Sequence, residues 1–180
     1  MDCEVLGADA LTPSFSPEED GDSFEANAMI KARALRSLAP KDSYVMADDS
    51  GLVVDALNGA PGIRSARYAG VSGSSADAAN NAKLLKALSE VPDNLRTARF
   101  VCAIALISPD LSENIFKGTV EGIIGRKEAG KGGFGYDPLF ILPDRGITTA
   151  ELSEDEKNSI SHRGKAFISM AEFVKKQLKK

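Results

Sequence analysis

Cysteine, histidine and tryptophan are scarce in this sequence. Its 180 residues include two cysteines, one histidine and no tryptophan. Cys102 lies inside the apolar run "FVCAIALI", which predicts a small buried side chain, and Cys3 is far from it along the chain. This pattern excludes a disulfide framework or a cysteine-rich metal site, so we expect a cytoplasmic protein in a reducing compartment.

Long apolar runs and clustered positive charge are also missing. No run reaches the roughly 18 apolar residues of a membrane span, and the opening "MDCEVLGADALTPSF" lacks the regions of a signal peptide. The net charge of −4 argues against binding to nucleic acid or to a membrane surface. A phosphate ligand remains compatible with this charge if a few cationic side chains converge, or if a metal ion bridges the negative groups.

The composition that remains is typical of a globular protein, with 43% hydrophobic and 27% charged residues. A chain of 180 residues is long enough to bury a core of its own. The sequence shows no internal repeat, low-complexity block or linker, so we predict one domain over residues 1–180. Helical and strand patterns are mixed along it, and their order leaves both an α/β and an α+β fold open.

Hydrophobic periodicity predicts several helices. The first should begin at a capping box of Asp22 with Glu25, and the second should begin near Ser75. Near the C-terminus, Ser153 and Ser161 are both possible caps. The last helix should bury one apolar stripe, made of Phe167, Met170, Val174 and Leu178.

Alternation and apolar runs predict the strands. The runs "YVMA" and "LVVDAL" should flank an acidic turn that contains Asp48 and Asp49. The nearly continuous apolar run "ARFVCAIALI" is typical of a strand buried on both faces, and it should form a hairpin with the strand that follows it. The remaining predicted strands are "CEVLGADAL", "IFKGTVEGII" and "LFIL".

Two pairs of acids are candidates for chemistry. A carboxylate of Asp48 or Asp49 at a strand end can ligate Mg²⁺ or take a proton from water. The plainer interpretation is that Asp48 braces the turn while Asp49 is solvated. Glu18 and Glu19 are loop acids, which are usually just exposed to solvent. One loop acid together with one strand-end acid would nevertheless give the carboxylates that Mg²⁺ uses when it also binds substrate phosphates.

Two later segments offer groups for a nucleotide. In "GKGGFGYDP", glycines allow close approach to a ligand, and Phe134 and Tyr136 offer flat faces to a base. The alternative is a tight loop with both aromatics packed inward. In "EKNSISHRGKA", a helix start with Lys157, His162 and Arg163 forms a good anion site, although a lone histidine there often caps or packs instead. Acids, aromatics and cations together favour a nucleotide hydrolase.

Four blocks carry a family resemblance: "DSFEANAMIKARAL", "ADDSGLVVDALNGAPGIRSARYAG", "GGFGYDPLF" and "AELSEDEKNSISHRGKA". In this order they resemble the inosine/xanthosine triphosphate pyrophosphatase family, from about Glu18 to the C-terminus. The resemblance implies an α/β fold with a long mixed central sheet, helices on both sides and two lobes around a nucleotide cleft. It also implies a Mg²⁺-dependent homodimer that hydrolyses ITP, dITP and XTP to the monophosphate and pyrophosphate.

The resemblance also implies roles for single residues. Asp49 would be the general base and would hold the metal together with Glu18, while Ser50 would contact phosphate or sugar. Phe134 would stack on the purine, and His162 with Arg163 would read its edge. A purine with a 6-keto group accepts hydrogen bonds there, whereas adenine would leave these donors unpaired. The remaining nucleotide contacts would come from Gly135, Tyr136, Asp137 and Lys157.

One family block has no counterpart in these 180 residues. Members open with a strand and a glycine loop of the form Thr/Ser-Gly-Asn-x-x-Lys, which grips the triphosphate. We therefore expect this chain alone to fold poorly, or to hydrolyse triphosphates more slowly than a complete relative. The alternatives are a non-catalytic nucleotide-binding or dimer-forming remnant, and a Maf-like pyrophosphatase. The "FGYD" and "SHRG" motifs argue against the Maf-like alternative.

Overall fold

The computed structural model describes residues 4–179, so Cys3 lies outside the described residues. Helices and strands are mixed along the chain, as the sequence predicts. No helix within this range is long and apolar enough to cross a membrane. In chain order the elements are α1 (Phe24–Arg36), β1 (Val45–Val54), α2 (Ala76–Ala87), β2 (Thr97–Ile107), β3 (Glu113–Ile124), β4 (Phe140–Leu142), β5 (Ile147–Thr148), α3 (Glu154–Ile160) and α4 (His162–Gln177).

The five strands form one sheet in the order β1-β2-β3-β4-β5. Each strand pairs with the next one along the chain in antiparallel fashion, and β2 with β3 makes the predicted hairpin. The predicted α/β class, with a central sheet and helices on both sides, is confirmed. Across residues 4–179 all pairings are antiparallel, so the expected parallel component of a mixed sheet is not seen in this part of the chain.

Strand β2 separates two apolar layers. Its odd-numbered residues, such as Val101 and Ala103, pack with α1, while even-numbered residues such as Ile104 pack with α4. This alternation follows from the two-residue repeat of a strand. A third cluster contains Leu84 of α2 and Leu88, the residue that follows this helix. Because helices cover both faces, β2 is apolar almost throughout, as its sequence predicts.

The predicted acidic turn between two short strands is wrong. Residues 45–54 form one uninterrupted strand that pairs with β2 along its whole length. Gly51 serves a close contact, because a Cβ atom there would lie 2.5 Å from Ser65 Oγ and 2.6 Å from the Gly62 carbonyl oxygen. Asp48 and Asp49 therefore lie within a strand and point to opposite faces of the sheet.

The helix starts are only partly as predicted. The cap of α1 is Ser23, whose Oγ accepts the Ala26 N–H at 3.2 Å, so the predicted capping box of Asp22 with Glu25 is wrong. Ser153 and Ser161 do cap α3 and α4. The predicted strand "CEVLGADAL" is also wrong in its described part, where Ala8–Ala10 form a short 3₁₀ helix.

Helix α4 lies close against β3. A Cβ atom on Gly118 would lie 2.0 Å from the His162 carbonyl oxygen and 2.7 Å from the Ala166 nitrogen. Because the two backbones are so close, the face of α4 that contacts β3 needs a small side chain. Ala166 meets this need and is buried with Met170 and Val174. Two members of the predicted stripe, Phe167 and Leu178, are exposed instead. This packing places the start of α4 beside the acids of β1.

Candidate active site

Asp49 points towards α1 and is largely buried there. Asn27 Nδ2 donates to Asp49 Oδ2 at 3.2 Å, and Lys31 Nζ lies 3.5 Å from Asp49 Oδ1. Burial raises the pKa of Asp49 above its ordinary value, and the nearby Lys31 cation and the Asn27 hydrogen bond reduce that rise. The result is a carboxylate with increased proton affinity, which suits a general base.

Glu19 is the loop acid that reaches this group. Its Oε1 lies 3.4 Å from Lys31 Nζ, so Lys31 contacts Glu19 and Asp49 together. Glu18 is exposed and makes no ion pair or side-chain hydrogen bond within residues 4–179, so its role as a metal ligand stays a prediction. The sequence patterns did not indicate roles for Lys31 and Asn27, although their four-residue spacing places both on one face of α1.

Glu19 and Asp49 provide carboxylates of the type that a magnesium site uses. Within the described part of the chain, no group of three or more His, Cys, Asp or Glu residues is arranged to hold a metal ion. Mg²⁺ commonly uses one or two carboxylates and takes its other ligands from water and substrate phosphates. Glu19 and Asp49 carry donor atoms of this type, and both carboxylates contact the Lys31 ammonium.

Asp48 faces the opposite side of the sheet, towards α4. Arg163 donates to Asp48 Oδ2 from Nε at 3.1 Å and from Nη2 at 3.0 Å. Ser50 Oγ donates to the same oxygen at 3.2 Å, and Cys102 Sγ lies 4.0 Å from it. The plainer interpretation, in which Asp48 braces a turn and Asp49 is solvated, is therefore wrong. Asp48 lies within a strand and holds Arg163, and the Asp49 side chain is only 13% exposed. Ser50 contacts this acid, and its predicted contact with phosphate or sugar stays a prediction.

His162 is held as a neutral side chain. Its ring stacks on Phe100 with centroids 5.1 Å apart and an interplanar angle of 14°. Burial, followed by the nearby Arg163 cation, lowers the pKa of His162 to about 4. A neutral imidazole presents one N–H donor and one acceptor near pH 7. A small cavity of about 20 Å³ lies between His162, Phe100 and Lys157, with room for a water molecule.

The two aromatics of the glycine loop point in opposite directions. Phe134 is 67% exposed, whereas Tyr136 is 4% exposed and belongs to the core. Tyr136 donates its hydroxyl to the Ser65 carbonyl at 2.8 Å. The alternative of inward packing is therefore correct for Tyr136, and the flat face offered to a ligand is that of Phe134.

Asp137 and Lys157 hold this loop together. Buried Asp137 pairs with the Lys157 ammonium and accepts hydrogen bonds from the Phe134 N–H and Thr149 Oγ1, both at 2.8 Å. Lys157 Nζ also lies 4.6 Å from the centroid of the Phe134 ring, within the range of a cation–π contact. One part of the Phe134 surface thus faces a cation, while the exposed part remains available to a base.

Comparison with known proteins identifies the family. The sequence matches the model of the Ham1 family over residues 2–173. The chain belongs to the Ham1 family. The predicted relationship to non-standard purine triphosphate pyrophosphatases is confirmed by relatives of this Ham1 protein that carry the name dITP/XTP pyrophosphatase.

Three relatives illustrate the similarity. The dITP/XTP pyrophosphatase of Listeria innocua serovar 6a is 50% identical over 167 residues, which cover 91% of this chain and 80% of the relative. The structure of the Staphylococcus aureus Ham1 protein has a TM-score of 0.88 at 45% identity and covers 97% and 88% of the two chains. The nucleoside-triphosphatase / dITP/XTP pyrophosphatase of Mycobacterium abscessus gives a TM-score of 0.78 at 44% identity, with 93% and 83% covered.

The Ham1 chain places the residues that its motifs indicate in separate groups. Asp48 joins Arg163 to β1 on one face, and the neighbouring Asp49 joins β1 to α1 on the other. Phe134, Asp137 and Lys157 form a second connected group. The contacts that sequence reasoning missed are those of Glu19, Asn27, Lys31 and Phe100.

Proposed function

We propose that this chain is a nucleoside triphosphate pyrophosphohydrolase that converts ITP, dITP and XTP to the monophosphate and pyrophosphate. The observation that carries the proposal is the pair of neighbouring acids on β1. Asp49 lies with Glu19 and Lys31, where a triphosphate can be hydrolysed, and Asp48 holds Arg163, where a base can be read. The printed names of the relatives support the same reaction.

The reaction breaks one phosphorus–oxygen bond. The oxygen of a water molecule attacks the α-phosphorus, and the bond from that phosphorus to the oxygen bridging to the β-phosphorus breaks. Asp49 accepts the proton that the water loses, and pyrophosphate leaves with the bond's electron pair. The Asn27 amide and the Lys31 ammonium hold the Asp49 carboxylate in place for this step.

We propose that Mg²⁺ is the cofactor and that Asp49 and an acid of the loop 18–19 hold it. The geometry favours Glu19 over the predicted Glu18, because only Glu19 contacts Lys31 together with Asp49. When bound, Mg²⁺ neutralises phosphate charge and orients the triphosphate. Lys31 keeps the two carboxylates near each other and supplies a further positive charge for the phosphates.

Recognition of the base is assigned to Phe134, His162 and Arg163. Phe134 offers an exposed ring for stacking, and the Arg163 and neutral His162 side chains offer donors for a 6-keto oxygen. Adenine presents an amino group at that position and would leave the donors unpaired. Lys157 and Asp137 support the ring, and Gly135 continues the loop that bears it.

We also propose that the protein acts as a homodimer in the cytoplasm. The homodimer is supported by the family resemblance, and the reducing compartment by the free buried thiol of Cys102. Sedimentation or light scattering should give twice the mass of the 19.0 kDa chain. A single species of monomer mass at micromolar concentration would reject the homodimer.

The test is steady-state hydrolysis by purified residues 1–180 with Mg²⁺. We expect pyrophosphate release from ITP, dITP and XTP at a lower rate than in a complete relative, with kcat/KM at least about 100-fold above that for ATP. Release of orthophosphate, or equal turnover of ATP, would contradict the proposal. IMP binding without any pyrophosphate release would instead support the non-catalytic remnant.

A further inference from the structure

The loop that carries Phe134 is held from outside by α2. Gly135 N–H donates to Asp77 Oδ2 at 2.7 Å, and Asn81 Nδ2 donates to the Gly135 carbonyl at 3.1 Å. Asp77 and Asn81 are four positions apart, so they lie on the same face of the helix. One helix face therefore bonds both backbone polar groups of Gly135.

The backbone around Phe134 is fully paired. Phe134 N–H donates to Asp137 Oδ2 at 2.8 Å, and the Phe134 carbonyl accepts the Asp137 N–H at 3.2 Å. With the two bonds from α2, every backbone polar group of Phe134 and Gly135 has a partner, while the Phe134 ring is 67% exposed. A ring kept for packing would be buried, so this arrangement is typical of a platform that presents a ring to a ligand.

Gly135 is the residue of the Phe134 loop whose backbone has the most conformational freedom. Its φ of +60° lies in the left-handed region, and a Cβ atom there would have nothing within 4 Å. Backbone conformation rather than space therefore calls for glycine. Because glycine has the largest conformational freedom to lose, the two bonds from α2 are what restrict this peptide and the direction of the ring beside it.

The two buried asparagine side chains of α2 form hydrogen bonds with loops rather than with core residues. Asn81 is 3% exposed, and its Oδ1 has no hydrogen-bond partner among the described residues. An unpaired buried acceptor is destabilising, and a leucine of similar size would not incur that cost. The adjacent Asn80 accepts the Ala69 N–H at 2.7 Å and donates to the Ala66 carbonyl at 3.2 Å. Each asparagine thus fixes one loop.

We propose that Asp77 and Asn81 are positioning residues for base recognition, which fix the Gly135 peptide so that Phe134 faces the nucleobase. The inference rests on the proposed function and adds the groups that set the orientation of its base platform. Both residues act on the loop of Phe134, and Asp49 with its partners on α1 is a separate cluster. Their loss should therefore weaken nucleotide binding and leave the bond-breaking step intact.

A fluorescence reporter can test this directly. The chain has no tryptophan, so Phe134→Trp gives a single reporter at the platform. In the full chain we expect IMP to quench the fluorescence of this introduced indole, and Asp77→Ala or Asn81→Ala should raise the IMP Kd about three- to tenfold. Asp77→Asn keeps an acceptor oxygen and should stay within about twofold. Lys86→Ala, at an exposed position of α2, is the same-helix control.

Steady-state kinetics of the same variants with the native Phe134 distinguish a positioning role from a general loss of stability. We expect the two alanine variants to raise KM for ITP about three- to tenfold with little change in kcat. Unchanged Kd and KM in a folded Asp77→Ala protein would overturn the inference, as would a fall in kcat at constant KM. Asp77 is exposed, so Asp77→Ala should stay folded and tests the positioning role even where Asn81→Ala lowers stability. Absence of quenching in the Phe134→Trp parent would reject the base-binding role of Phe134 itself, and this inference with it.

Discussion

At the scale of single residues, β1 gives two neighbouring carboxylates different partners. Asp49 is buried against α1 with a raised pKa, and Asp48 forms an ion pair with Arg163 on the other face. Like charges can stand side by side here because strand alternation separates them and each meets its own cation. The two acids are therefore assigned different tasks, proton transfer for Asp49 and orientation of Arg163 for Asp48.

Substitution of these acids separates the two tasks. Asp49→Asn keeps the size of the side chain but removes the proton acceptor, so kcat for ITP should fall about 10²–10⁴-fold while IMP binding is kept. Asp48→Asn should mainly raise KM, because Arg163 loses its charged partner. Steady-state kinetics with IMP titration measure both effects. Unchanged turnover in Asp49→Asn would discard the assignment of the base.

His162 should make stability depend on pH. Its folded-state pKa is about 4, below the ordinary value of 6.5, so the unfolded chain takes up a proton at a higher pH than the folded one. The free energy of unfolding should therefore fall as the pH falls from 6.5 towards 4, with a slope from this group of up to about 1.4 kcal/mol per pH unit. Urea unfolding of the wild type and of His162→Gln measures this slope. Equal slopes in the two proteins would contradict the buried neutral histidine.

At the scale of elements, Arg96 joins α2 to the sheet. Its buried guanidinium donates to the carbonyls of Leu88 at 2.6 Å, Ile124 at 2.7 Å and Gly125 at 2.7 Å. These carbonyls belong to the end of α2 and to the end of β3 with the loop after it. Helix α2 also bonds to Gly135 through Asp77. Arg96, which lies outside the site, therefore fixes the helix that holds the Phe134 loop.

Removing this guanidinium should destabilise the fold strongly. Arg96→Met removes a charged donor from three carbonyls, of which only that of Leu88 is known to keep another donor, the Val91 N–H at 3.1 Å. We therefore expect the free energy of unfolding to fall by about 3 kcal/mol. Arg96→Lys should recover only part of the loss, since lysine lacks the planar fork. The control is Arg126→Met. The Arg126 side chain also makes three contacts, with Asp93 and with the Ser89 and Val91 carbonyls, but it is exposed to water, so its loss should cost about 1 kcal/mol or less. Urea denaturation compares them, and equal losses at both sites would refute the role of Arg96.

At the scale of the whole molecule, local patterns predicted the architecture better than the site. The α/β class and the family are confirmed, and so are the β2–β3 hairpin and the caps at Ser153 and Ser161. These features depend on residues near one another in sequence. The single domain over residues 1–180 and the individual site roles stay predictions.

The errors arose where contacts join distant segments. Sequence could not separate Glu18 from Glu19, because which loop acid reaches Lys31 depends on how the loop packs on α1. The Ser-Gly pair after the acids looked like a turn, yet Gly51 is small because the segment around Ser65 approaches it. The stacking of His162 on Phe100 depends on the placement of α4 over the sheet. Tertiary packing decides all three.

In the proposed reaction, water attacks the α-phosphorus of a non-canonical purine triphosphate at the site beside β1. Hydrolysis of ITP in ¹⁸O-labelled water, followed by mass spectrometry of both products, tests it most directly. We expect the label in IMP and unlabelled pyrophosphate. Label in pyrophosphate, or release of IDP and labelled orthophosphate, would contradict it.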